Sequence, residues 1–119
     1  MKTILIVDDE EDILIALKSY LTRLGYDVAT SLTCQQGIEK FYLVKPDLVF
    51  LDVNVGNSDG RIMCRTIKSQ AQYNNIPVIL ISANPLMLLK FAEYGAIAVL
   101  DKPFDLPNLI TIVRSHLNN

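Results

Sequence analysis

Short apolar segments that end on polar side chains recur along this chain, and they limit the folds it can adopt. Residues 4–7 precede Asp8 and Asp9, the segment 47–52 ends on Asp52, residues 78–81 precede Ser82, and residues 96–100 precede Asp101 and Lys102. Runs of this length, rich in valine, isoleucine and leucine, are typical of strands buried on both faces of a sheet. Residues 26–31 give a fifth, less apolar strand.

Stretches in which apolar residues recur at helical spacing alternate with these strands. The predicted helices cover residues 10–24, 34–44, 60–69, 86–94 and 106–117. Thr33 with Gln36 matches a capping box, Asp105 is a predicted N-cap, and Gly25 is a predicted stop. Strict alternation of strand and helix predicts one α/β domain, residues 1–119, with a parallel sheet covered by helices on both faces.

Composition and charge exclude several classes of protein. Half of the 119 residues are hydrophobic and the net charge is −2, which is typical of a globular domain and gives no reason to expect nucleic-acid binding. No apolar run approaches the roughly 20 residues of a membrane span, and the N-terminus lacks the features of a signal peptide. Cys34 and Cys64 are therefore predicted to be reduced thiols in a cytoplasmic protein.

The polar ends of the strands predict a single site. In a parallel sheet the carboxyl ends of adjacent strands lie on one edge, where α/β proteins bind their ligands. That edge would bring together Asp8, Asp9, Asp52, Ser82 and Lys102. Three crowded carboxylates repel one another unless a cation joins them, and Mg²⁺ suits carboxylates, a carbonyl and water. An ionised Asp52 beside Mg²⁺ can attack a phosphoryl group, and Lys102 and the Ser82 hydroxyl would stabilise its oxygens.

The same residues lie in segments that match a known family in order and spacing. These are Ile6-Val7-Asp8-Asp9-Glu10; residues 47–52 with Asp59-Gly60 further on; Ile76-Pro77-Val78-Ile79 leading to Ser82-Ala83; Gly95-Ala96; and Lys102-Pro103-Phe104. Over residues 2–117 the chain resembles the receiver (CheY-like) domain of response regulators in two-component signalling. The resemblance implies a flavodoxin-like (βα)5 fold with strand order 2-1-3-4-5.

The resemblance also implies a role for each site residue. Asp52 matches the phosphoacceptor, with Ser82 and Lys102 as the hydroxyl and the cation that contact the phosphoryl group. Asp9 matches the direct Mg²⁺ ligand and Asp8 its water-mediated helper. The backbone carbonyl of Asn54 and the Asp52 carboxylate would complete the metal site. The Lys102–Pro103 peptide is expected to be cis.

The implied function is that of a phosphorelay switch. The phosphoryl group would come from the phosphohistidine of a sensor histidine kinase or phosphotransfer protein, and a downstream output protein or fused output domain would respond, with or without phosphorylation-dependent dimerisation. No direct nucleic-acid or membrane partner is expected. The chain would be no enzyme beyond self-catalysed phosphorylation and autodephosphorylation. The alternative is a degenerate receiver that acts as a phosphorylation-independent interaction module.

Three departures from the family pattern concern the surface that partners read. Val99 stands where the family usually has an aromatic residue, and Val55-Gly56 stand where it usually has Met-Pro. The segment between Ser82 and Lys102 is short, and its predicted helix, residues 86–94, is unusually apolar. That helix is interpreted either as packed in the core or as an exposed partner surface. Glu10, Glu11 and Asp12 are assigned only to the helix dipole.

Overall fold

A parallel five-stranded sheet forms the centre of the protein. The computed structural model describes residues 1–117, so the last two residues of the predicted 1–119 domain lie outside the described residues. The strands are β1 (Thr3–Val7), β2 (Asp27–Ser31), β3 (Leu48–Asp52), β4 (Val78–Ser82) and β5 (Ala98–Asp101). They pair in the order β2-β1-β3-β4-β5, and every pairing is parallel. Both the predicted fold class and the order 2-1-3-4-5 are confirmed.

Helices cover both faces of this sheet. Within residues 1–117 the α-helices are α1 (Glu11–Arg23), α2 (Cys34–Val44), α3 (Gly60–Lys68) and α4 (Leu106–Leu117). The predicted caps are present: the Thr33 hydroxyl accepts the N–H of Gln36 at 3.1 Å, and the Asp105 carboxylate accepts the N–H of Asn108 at 2.8 Å. Each cap satisfies a backbone donor that a helix leaves unpaired in its first turn.

The core has two layers because side chains alternate along each strand. Ile4 and Ile6 of β1 point to one layer with residues of α1 and α4, whereas Leu5 and Val7 point to the other with residues of α2 and α3. All five residues of β3 are buried. The structure therefore has a rigid central strand, and Asp52 is its last residue.

The predicted helix over residues 86–94 is wrong. The structure has two 3-10 segments there, Pro85–Leu88 and Phe91–Tyr94. Between them the backbone of Leu89 is extended and that of Lys90 is left-handed with φ of 57°, which interrupts any continuous helix. Four consecutive apolar residues, 86–89, leave no polar face for a surface helix, so the segment folds as two tight turns instead.

These turns fit both interpretations of the apolar segment. Leu88 is buried in the core, whereas Leu86 and Leu89 are 72% and 61% exposed. Helical spacing also predicts Ile62 on α3 and Tyr42 on α2 as inward-facing, and this is wrong: they are 52% and 40% exposed.

The segment after β3 folds as a small hairpin rather than an open loop. Asn54–Val55 pairs antiparallel with Ser58–Asp59, and Gly56 makes the turn with φ of +61°. The hairpin leads into α3 at Gly60, whose N–H donates to the carbonyl of Val53 at 2.7 Å. The backbone beside Asp52 is therefore closely constrained.

Candidate functional site

The strand ends meet as the sequence predicts. Strand register places Val7 beside Leu51 and Asp52 beside Ile81, so the tips of β1, β3 and β4 are level. Lys102, which follows β5, reaches across this edge. Its Nζ lies 2.6 Å from Asp52 Oδ2 and 2.8 Å from Asp8 Oδ2.

Lys102 is the electrostatic centre of the site. Its Nζ also lies 2.7 Å from Glu10 Oε1, so three carboxylates surround one ammonium. Burial alone would lower the pKa of Lys102, but the close contacts with the carboxylates of Asp52, Asp8 and Glu10 outweigh it and raise the pKa above its usual range. The lysine therefore stays charged. The Lys102–Pro103 peptide bond is cis, as predicted.

Asp8 is a buried carboxylate whose pKa lies above its ordinary value. It is fully buried, and burial raises its pKa to about 6, against the opposing effects of Lys102 and of the Glu10 N–H, which donates to Asp8 Oδ1 at 2.9 Å. The 2.8 Å contact from Lys102 to Asp8 Oδ2 is an ion pair without hydrogen-bond geometry, so this buried oxygen has no hydrogen-bond partner in the described chain. Such an oxygen is available to a further cation.

The other predicted site residues are held by backbone amides. Asp9 Oδ2 accepts the N–H of Gly56 at 2.9 Å, and Ser82 Oγ accepts the N–H of Asn84 at 3.0 Å. The N–H of Asn54 donates to Asp52 Oδ1 at 2.9 Å. The structure thus brings Asp8, Asp52 and Lys102 into direct contact, whereas Asp9 faces the hairpin.

Glu10 is the site residue that sequence reasoning missed. Its position predicts only a favourable interaction with the dipole of α1. In the structure its carboxylate makes no cap hydrogen bond to α1 and contacts Lys102 instead. The available signal was its position: it directly follows Asp8 and Asp9, where the chain leaves β1 and has not yet begun α1. A side chain at that point can reach the same edge of the sheet.

The donor set fits a hard divalent cation. Carboxylate oxygens of Asp8, Glu10 and Asp52 all lie within 4.8 Å of one another, and Asp8 contributes the buried oxygen without a hydrogen-bond partner. Oxygen donors of this kind are those that Mg²⁺ prefers. This cluster could therefore hold a metal ion.

Comparison with known proteins identifies the family. Residues 4–114 match the family model described as "Response regulator receiver domain". The chain belongs to the response regulator receiver family. It is thus a receiver domain of two-component signalling, and the degenerate alternative is not favoured. Members of the family generally depend on Mg²⁺, in agreement with the acidic cluster of Asp8, Glu10 and Asp52.

Curated relatives are longer than this chain. The receiver domain is 32% identical to the transcriptional regulatory protein YxdJ of Bacillus subtilis strain 168, covering 98% of this chain and 51% of YxdJ. It is 34% identical to the response regulator ArlR of Staphylococcus aureus strain Mu50, covering 98% of this chain and 53% of ArlR. The chain spans about half the length of the curated relatives it matches.

Solved structures agree with the fold throughout. A putative response regulator from Chloroflexus aurantiacus superposes with a TM-score of 0.90 at 25% identity, covering 99% of this chain and 98% of that one. The receiver domain of NtrX from Brucella abortus superposes with a TM-score of 0.87 at 30% identity, covering 98% of each chain.

Two further findings bear on the class of protein. Cys34 and Cys64 are free thiols, as predicted. No helix within residues 1–117 has the length and apolar character needed to cross a membrane. The family is one of signalling domains rather than classical enzymes.

The raised pKa of Asp8 predicts a specific pH dependence of stability in the receiver domain without divalent cations. Because the folded protein holds the Asp8 proton more tightly than the unfolded chain, this group stabilises the fold fully below pH 3.8, its ordinary pKa, and that contribution is lost as the pH rises through about 6. Asp8→Asn has no carboxyl group to ionise at this position, so it does not lose this contribution. As the pH rises, its free energy of unfolding should exceed that of the wild type by a growing amount, up to about 3 kcal/mol near neutral pH.

Urea unfolding in EDTA, at several pH values from about 4 to 7, measures this difference. A constant difference between the two proteins across that interval would contradict the assignment of a raised pKa to Asp8. Added Mg²⁺ should stabilise the wild type and have a much smaller effect on Asp8→Asn, because ligand binding to the folded state raises stability.

Proposed function

We propose that Asp52 is the phosphoacceptor of this receiver domain. The observation that carries the proposal is the 2.6 Å contact between Asp52 Oδ2 and Lys102 Nζ at the end of a fully buried strand. Asp52 is 5% exposed, so one largely buried carboxylate stands at the edge of the sheet on a backbone that cannot shift easily. A preorganised cation beside such a carboxylate is placed to stabilise charge on a transferred phosphoryl group.

Asp8, Asp9, Asp52 and the backbone carbonyl of Asn54 are the proposed holders of Mg²⁺. Bound there, the ion supplies positive charge that offsets the negative charge on the phosphoryl oxygens. Asp8 offers its buried Oδ2, and Asp52 offers an oxygen beside it. Asp9 is exposed, and its carboxylate would exchange the N–H of Gly56 for the cation.

The chemistry follows from the positions of the side chains. An oxygen of the Asp52 carboxylate attacks phosphorus, the phosphorus–nitrogen bond of a donor phosphohistidine breaks, and its electron pair returns to the imidazole. The product is an acyl phosphate on Asp52. Lys102 then contacts a phosphoryl oxygen. Ser82, whose Oγ now accepts the N–H of Asn84, can donate its hydroxyl proton to another.

The biological setting is part of the same proposal. A sensor histidine kinase or phosphotransfer protein would donate the phosphoryl group, and a downstream output protein or fused output domain would respond. YxdJ carries the name of a transcriptional regulatory protein and is about twice as long as this chain, which supports a fused output domain beyond a receiver unit of residues 1–119. We place this activity in the cytoplasm, with dimerisation on phosphorylation as one form of output.

Beryllofluoride, an analogue of a phosphoryl group, provides the test. In the presence of Mg²⁺ it should bind in a one-to-one complex, and amide resonances of Asp52, Asn54, Ala83 and Lys102 should shift most in NMR spectra. Removing Mg²⁺ with EDTA should reverse the change. Ser82→Ala should weaken the complex, since it removes one hydrogen bond of about 1 kcal/mol, or several-fold in affinity.

An unchanged spectrum in saturating Mg²⁺ and beryllofluoride would overturn the proposal. A shift confined to residues remote from the carboxyl edge of the sheet, such as those of the 3-10 segment Phe91–Tyr94, would do the same.

A further inference from the structure

We propose that Glu10 is a positioning residue that holds Lys102 before phosphorylation and releases it to the phosphoryl group. This inference rests on the proposed function, because it concerns the same lysine. It assigns Glu10 a defined role: its charge favours Mg²⁺ binding and opposes phosphoryl binding.

The first argument is the crowding around Lys102 Nζ. The ammonium donates hydrogen bonds to Asp52 Oδ2 and Glu10 Oε1 at 2.6 and 2.7 Å. It also lies 2.8 Å from Asp8 Oδ2 in an ion pair. Three carboxylate oxygens within 2.8 Å occupy the close surroundings of a group that has only three N–H donors. Lys102 must therefore give up a carboxylate before it can bind a phosphoryl group.

Exposure indicates which carboxylate is released most easily. Asp52 is the group that receives the phosphoryl, and the side chain of Asp8 is fully buried. The side chain of Glu10 is 57% exposed. Water can hydrate the Glu10 carboxylate once it leaves Lys102, whereas Asp8 would remain a buried charge without its cation. Glu10 is thus the partner that is least costly to displace.

The backbone of Glu10 is fixed while its side chain is free to turn. Its N–H donates to Asp8 Oδ1 at 2.9 Å, and its carbonyl accepts the N–H groups of Ile13 and Leu14 at 3.1 and 3.2 Å. These bonds anchor the residue at the start of α1. Release of Lys102 then needs only rotation about side-chain bonds, with no change in the helix.

The charge balance predicts opposite effects on two ligands. Asp8, Glu10, Asp52 and Lys102 together carry a net charge of −2. Neutralising Glu10 makes the cluster less negative, which weakens the attraction for Mg²⁺ and frees an N–H of Lys102 for an anionic phosphoryl group. A substitution that only disturbed the fold would weaken the binding of both ligands.

The test compares Glu10→Gln with Glu11→Gln, a matched control in which the same charge is removed one residue away at an exposed position. Calorimetric titration of the protein with Mg²⁺ alone should give weaker binding for Glu10→Gln, by about 3- to 10-fold, as for an exposed charge at close range. Titration with beryllofluoride in saturating Mg²⁺ should give binding that is tighter by a similar factor. Glu11→Gln should stay within about 2-fold of the wild type in both titrations.

A second variant separates contact from charge. Glu10→Asp keeps the charge but shortens the side chain, so it should bind Mg²⁺ nearly as the wild type does and bind beryllofluoride more tightly. It also serves if Glu10→Gln does not fold, which circular dichroism would reveal.

The titrations distinguish failure of the proposed function from failure of the role of Glu10. If the wild type binds no beryllofluoride in saturating Mg²⁺, the proposed function fails. If the wild type binds it and Glu10→Gln matches Glu11→Gln, or binds both ligands more weakly, only the role of Glu10 is overturned.

Discussion

Asp52→Asn protein should take up no phosphoryl group from acetyl phosphate and Mg²⁺, under conditions in which the wild type is labelled. The reason is chemical: the amide has no carboxylate oxygen that can attack phosphorus, and the contact between Lys102 and Asp52 Oδ2 loses its charge. Loss should be complete to the detection limit, because Asp8 has the proposed role of a metal ligand and Glu10 that of a displaced partner of Lys102, which leaves Asp52 as the acceptor. Intact-protein mass spectrometry measures the gain of one phosphoryl group.

Asp27→Asn is the matched control. Asp27 is an exposed aspartate at the opposite end of the sheet, where β2 begins, and it should be labelled like the wild type. Labelling that persists in Asp52→Asn would place the acceptor elsewhere. Equal loss in both variants would point to an effect on folding rather than on chemistry, and circular dichroism distinguishes the two.

Gly60→Ala should destabilise the protein severely, by about 3 kcal/mol or more, because it forces atoms into the backbone of the acceptor strand. A Cβ on Gly60 would lie 1.9 Å from the carbonyl oxygen of Asp52 and 3.2 Å from Leu51 Cγ. The obstacle is a carbonyl of the buried strand β3, so it cannot turn aside as a flexible side chain would. Either α3 or the end of β3 must move, and both position the site.

Gly56→Ala is the control for loss of a glycine near the site. A Cβ added at Gly56 would meet no atom within 4 Å, but the backbone there is left-handed. Alanine should therefore lower the free energy of unfolding by about 1 kcal/mol. Urea unfolding of the two variants beside the wild type gives the comparison. Equal free energies of unfolding for Gly56→Ala and Gly60→Ala would contradict the role of the close approach to Asp52.

Most of the site could be predicted from sequence because the sheet is parallel. Parallel strands place their carboxyl ends on one edge, so residues that are far apart in the chain, such as Asp8, Asp52 and Lys102, become neighbours once strand order is known. The strand order came from the family resemblance. The residues alone indicated only that alternating strands and helices form such a sheet.

Other features depend on side-chain and backbone choices that periodicity does not reveal. The 86–94 segment is uniformly apolar at its start. The lack of a polar face argues against a surface helix, but it does not by itself predict two 3-10 turns. Glu10 fits the statistical preference for acids in a first helical turn, yet Lys102 is a closer and stronger partner. Asp9 has a backbone N–H within reach only because the hairpin after β3 brings Gly56 to it.

Val99 remains the main departure from the family pattern. It lies half-buried in β5, at the position where the resemblance to the family implies an aromatic ring. Tyr94 of the apolar segment is aromatic, and its ring centroid lies 5.3 and 4.5 Å from the guanidinium carbons of Arg61 and Arg65. Arg61 is also held by Asp59 at 2.8 Å, at the end of the hairpin. Tyr94 therefore lies against two arginines of α3.

The most direct test of the central claim is to locate the phosphoryl group on the wild-type chain. Acyl phosphates are reduced by borohydride, so an aspartyl phosphate becomes homoserine and can be found by peptide mass spectrometry. The predicted result is homoserine at position 52 alone in a sample labelled with acetyl phosphate and Mg²⁺. No homoserine should form at this position when EDTA is present during labelling. Homoserine at Asp8 or Asp9, with Asp52 unmodified, would contradict the assignment of Asp52 as the phosphoacceptor.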